Sequence, residues 1–67
     1  MMYHIRLHDE EGYSYGIQDL GWSQDPAEAT AYVTFELAAA ARDIAAAVHK
    51  SYRLEGSIKV VEAHMTR

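Results

Sequence analysis

Sixty-seven residues, 49% hydrophobic and 24% charged with one proline, suffice for one small folded domain spanning 1–67 and exclude a second domain or a wholly disordered chain. Ten acidic against six basic residues leave a formal charge of −4, which opposes non-specific attraction to nucleic acid or an anionic membrane and favours a basic partner. With no cysteine there are neither disulfides nor thiolate metal sites.

No uncharged apolar run approaches the ~18–20 residues of a membrane span. The first residues also lack the basic region and apolar block of a signal peptide, so a cytoplasmic protein is expected. In Tyr3–His8 the apolar Tyr3, Ile5 and Leu7 alternate with His4, Arg6 and His8, the period of a half-buried strand. Asp9, Glu10, Glu11 and Gly12 carry turn chemistry, and Tyr13, Tyr15 and Ile17 resume the alternation, which predicts a hairpin. From Gln18 to Pro26 periodicity is lost, and a loop carrying Trp22 is expected there. Asp25 before Pro26 predicts a short capped turn.

Thr34 is placed to cap a longer helix that starts at Phe35, is favoured by seven alanines within Ala38–Ala47, and is stopped by Gly56. Leu37, Ala41, Ile44, Val48 and Tyr52 fall along one stripe, the face expected to lie on a sheet. Ser57–His64, rich in β-branched residues, reads as the last strand. The expected fold is a two-layer α+β domain, ββαβ, with a three-stranded antiparallel sheet in the order 2-1-3 under one helix. One register sets Arg6 opposite Glu62 and His4 opposite His64, with Leu7 and Val61 turned inward.

His4 and His8 share a strand face but stand about 13 Å apart at ~3.3 Å per residue, too far to hold one zinc ion. No metal site and no cofactor are expected. The carboxylates sit in turns and loops where water keeps them ionised, no serine has an activating base beside it, and the glycine spacing matches no nucleotide-binding loop. No catalytic residue is assigned, and the protein is expected not to be an enzyme. Seven aromatics remain, of which Tyr32 and Phe35 are assigned to packing. Trp22 fits a core lid or an exposed anchor equally. Asp9, Glu10, Glu11, Asp19, Asp25 and Glu28, together with Trp22, are the candidate partner-binding residues, an acidic set able to imitate a row of phosphates toward a basic protein groove.

The pattern Trp22-x-x-Asp25-x-x-Glu28-Ala29-x-x-Tyr32, then Phe35-Glu36-x-x-Ala39 and a closing Ile58-Lys59-Val60-Val61-Glu62, resembles small phage and prophage proteins of the anti-CRISPR kind. That resemblance implies an inhibitor that binds a basic nucleic-acid-binding surface of a host CRISPR effector complex and blocks its access to target DNA, without touching nucleic acid itself. A second stretch, Glu11 to Gly21, resembles the gY-x-v-x-x-pDLpG segment of HicB-type antitoxins, small domains that bind a toxin, with Gln18 where that family has proline. It implies an antitoxin-like or self-associating module that uses the open sheet face or its edges. Monomer and homodimer are both compatible with so short a chain.

Overall fold

Alternation at the start of the chain becomes a hairpin. In the computed structural model, which describes residues 1–18 and 21–63, strand β1 (Tyr3–Asp9) pairs antiparallel with β2 (Gly12–Ile17), Arg6 facing Tyr15 and Asp9 facing Gly12. Glu10 and Glu11 keep negative φ, so Gly12 at φ +108° takes the left-handed step that closes the turn. The segment expected to be an irregular loop contributes a further strand, β3 (Gly21–Ser23), with Trp22 opposite Gly16. The sheet therefore has four strands in the order β3-β2-β1-β4, where three were expected. A three-residue strand is too short for its alternation to be visible in sequence.

Strand β4 (Ser57–Glu62) lies antiparallel to β1 with His4 opposite Val61, Arg6 opposite Lys59 and Leu7 opposite Ile58. This corrects the expected register. Val61 lies on the same outer face as His4, Ile58 takes the inward place under the helix, and Arg6 meets a cation instead of Glu62. Burying Ile58 and Val60 decides the matter, because a one-residue slip would turn both of them to the other face. His64, the expected partner of His4, lies outside the described residues.

After β3, Asp25 caps a single 3-10 turn, Pro26–Glu28, by accepting from the Ala27 N–H at 2.9 Å. This turn lies over the outer sheet face beside His4, Arg6 and Tyr15. The chain then crosses to the inner face between the end of β2 and the start of β1: the Thr30 N–H donates to the Gly16 carbonyl at 3.0 Å, and Tyr32 and Tyr3 exchange backbone hydrogen bonds of 2.8 and 2.9 Å. The outer sheet face is thus partly covered by the protein's own chain.

Helix α1 (Phe35–Ser51) starts where Thr34 Oγ1 accepts from the Leu37 N–H at 3.2 Å, with Glu36 in its first turn and His49 and Lys50 in its last. It rests on β4 and β1 through alanine: Ala38 and Ala45 are buried, and Ile5, Leu7, Ala45 and Ile58 form the core, flanked by Trp22, Tyr32, Ala46 and Val60. The Arg42 Nε–H donates to the Ile58 carbonyl at 2.8 Å and fixes the rotation of the helix over the sheet. The expected sheet-facing stripe is consequently turned away, with Leu37 53%, Ile44 58% and Tyr52 72% exposed. Phe35, assigned to packing, is also mostly exposed and meets Tyr3 edge-on at 5.8 Å. The reason is steric: alanines let α1 approach the sheet more closely than leucine or isoleucine could.

The helix ends before Gly56. Arg53 at φ +54° makes the reversal, with the Arg53 N–H bonded to the Lys50 carbonyl and the Leu54 N–H to the His49 carbonyl. Gly56, at φ +116°, carries the chain into β4 close against the His8 carbonyl. Among the described residues no helix is long and apolar enough to cross a membrane.

Candidate protein-binding surface

Two local closures meet at one end of the domain. In the β1–β2 turn the Asp9 Oδ1 accepts from the Glu11 N–H at 2.9 Å, which holds Glu10 and Glu11 at the tip. In the segment after α1, the His49 Nε2–H donates to the Glu55 carbonyl at 2.6 Å, tying Leu54 and Glu55 back to the helix. Between them lies a groove of about 350 Å3 with Leu7, Trp22 and Leu54 as apolar lining and Asp9, Glu10, Glu11 and Glu55 as acidic lining. No lysine or arginine lines it, and the one ion pair among the described residues is Arg42–Asp43 at 3.1 Å, on the helix. His49 completes the lining, and none of the groove's carboxylates is in an ion pair among the described residues.

The outer sheet face has the opposite character. Arg6 stacks on Tyr13, its guanidinium carbon 4.2 Å from the ring centre, and His8 meets the same ring at 4.8 Å. Lys59 stands opposite Arg6. Nearer the 3-10 turn, a groove of about 790 Å3 is lined by His4, Arg6, Tyr15, Asp25, Pro26 and Glu62. His4 is buried there edge-on to Tyr15 at 6.0 Å, and loss of water around the imidazole lowers its pKa from the ordinary 6.5.

Asp9, Glu10, Glu11 and Trp22 thus come together, whereas Asp25 and Glu28 do not join them. Asp25 is used as a cap and faces the other groove, and Glu28 Oε1 accepts from the Ser23 hydroxyl at 2.6 Å. Asp19 lies outside the described residues. Trp22 is half-buried, packed against the core on one side and lining the groove on the other. His49, Leu54 and Glu55 were missed, because nothing local in the sequence says that the helix end returns to the hairpin turn. Among the described residues no three His, Cys, Asp or Glu side chains are grouped so as to hold a metal ion. No protein-family model, curated protein or solved structure matches this chain.

Proposed function

We propose that this protein is a non-enzymatic binding module whose acidic groove, with Trp22 and Leu54 in its apolar lining, takes a basic segment of a partner protein. One observation carries the reading: carboxylates of Asp9, Glu10, Glu11 and Glu55 gather without an internal cation around an apolar floor. An aromatic anchor ringed by charge of one sign is the arrangement that gives both affinity and choice of partner. In its specific form, the partner is a basic nucleic-acid-binding surface of a host effector complex, and the protein is an inhibitor of the anti-CRISPR kind. Because Asp25 and Glu28 are engaged elsewhere, the contact set is Asp9, Glu10, Glu11 and Trp22, with Leu54 and Glu55 added.

The test is capture of the partner from host lysate at low and high salt, with wild type and with Glu10→Lys/Glu11→Lys. Wild type captures a protein at low salt, DNA displaces it, and the double reversal captures none while its far-UV spectrum is unchanged. Undiminished capture by the folded double variant refutes the reading. An antitoxin-like module is the second reading, favoured by the gathering of Arg6, His8 and Tyr13 on the outer face. It predicts capture that survives the double reversal and is lost in Arg6→Ala and Tyr13→Ala.

A further inference from the structure

We propose that two copies of this chain pair antiparallel through α1, about a two-fold axis passing at Ile44. The helix offers the sheet its alanines and offers solvent its larger apolar side chains: Leu37, Ile44 and Tyr52 are exposed, Ala40 and Ala47 beside them are exposed, and Ala41 and Val48 are half-buried. Leu37, Ala41, Ile44 and Val48 are separated by steps of four, three and four, the spacing of a helix-pairing seam. Around Ile44 the sequence is suited to a two-fold. Ala40 of one copy meets Val48 of the other and Leu37 meets Ser51, small against large, while Ala41 meets Ala47.

Charge selects the direction. Glu36, Asp43 and Lys50 follow one another at seven-residue steps along the solvent side of the seam. Antiparallel pairing sets Glu36 of each copy beside Lys50 of the other, whereas parallel pairing sets like beside like. Asp43 meets its own equivalent near the axis, but each already holds the Arg42 Nη1 of its own chain at 3.1 Å. The acidic groove lies at the end of α1, off this seam, so the pairing stands independently of the proposed partner.

Sedimentation of the full chain from about 10 µM to 1 mM tests the proposal across the range of a modest dimer. Wild type is expected to approach twice 7.5 kDa, and Ile44→Glu to remain at 7.5 kDa throughout with an unchanged far-UV spectrum, since Ile44 lies outside the core. The absence of cysteine allows a second measurement. Ile44→Cys is expected to form an intermolecular disulfide at least tenfold faster than Leu37→Cys, whereas Leu37→Cys/Ser51→Cys crosslinks readily. A wild type of 7.5 kDa at every concentration, a dimer indifferent to Ile44→Glu, or equal crosslinking of Ile44→Cys and Leu37→Cys each overturns the proposal.

Discussion

Arg6 and Lys59 stand directly opposite one another on adjacent strands, two cations on the outer face, neither of them in an ion pair among the described residues. Arg6 is held off by its stacking on Tyr13. Like charges at a facing strand position destabilise a sheet, so Lys59→Glu should stabilise the fold by about 0.5 kcal/mol. The gain should appear in the urea midpoint at low salt and shrink at high salt. A midpoint that falls at low salt would mean that Lys59 contributes something the facing register does not include.

Gly16 is the position where the Ile5 side chain fills the space that a Cβ on β2 would need. A methyl built there lies 2.6 Å from Ile5 Cδ1, far inside contact distance. Gly16→Ala is therefore expected to destabilise by about 1–3 kcal/mol, the usual size of overpacking. Ile5→Ala costs stability of its own by opening the core, but in that background Gly16→Ala should cost almost nothing. Equilibrium unfolding of the four proteins of this cycle gives the coupling, and additive costs would show that the crowding is relieved by some other movement.

How much of this was legible in sequence follows the length of each pattern. Tyr3–His8 and Tyr13–Ile17 alternate long enough to fix two strands and their hairpin, and Asp25 and Thr34 announce their caps because capping is local chemistry. Gly21–Ser23 is too brief to alternate, so the fourth strand was hidden. The stripe of α1 was correctly read as a stripe but assigned to the wrong neighbour. Periodicity states which residues share a face, whereas the small volume of Ala38 and Ala45 and the Arg42 bond to Ile58 decide which face the sheet receives. For the candidate surface, Asp9, Glu10 and Glu11 are adjacent in sequence and come as a unit. Leu54 and Glu55 arrive from across the fold, by a helix end whose direction is set by backbone geometry at Arg53.

His4 makes stability depend on pH. It is 8% exposed, and burial lowers its pKa below the 6.5 of the unfolded chain. Arg6, Asp25 and Glu62 line the same groove, but loss of water around the ring is the dominant influence. Below 6.5 the unfolded chain binds the proton more readily than the native one, so stability that is fully present above this value is lost as pH falls through the lowered native value. Urea midpoints taken between about pH 7.5 and 5 should fall more steeply for wild type than for His4→Gln. Parallel curves for the two proteins would show that protonated His4 is accommodated without cost.

Arg53 occupies a left-handed backbone position, φ +54°, at the end of α1, where glycine is the usual residue. An L side chain costs about 1–2 kcal/mol in that conformation, part of which arginine recovers by its charge near the helix carboxyl end. Glycine removes the steric cost, although it also adds freedom to the unfolded chain. Since His49 and Lys50 keep the last turn basic, Arg53→Gly should leave a net gain of about 0.5–1 kcal/mol, or about 3–6 °C in Tm for a domain of this size. Arg53→Val, with a branched Cβ in the same place, should lose stability instead. Calorimetry of both variants measures the pair of signs, and because the reversal carries Leu54 and Glu55 to the acidic groove, Arg53→Val should also weaken partner capture while Arg53→Gly preserves it. Equal melting temperatures for all three proteins would remove the strain argument and, with it, the account of how the helix end is aimed at the groove.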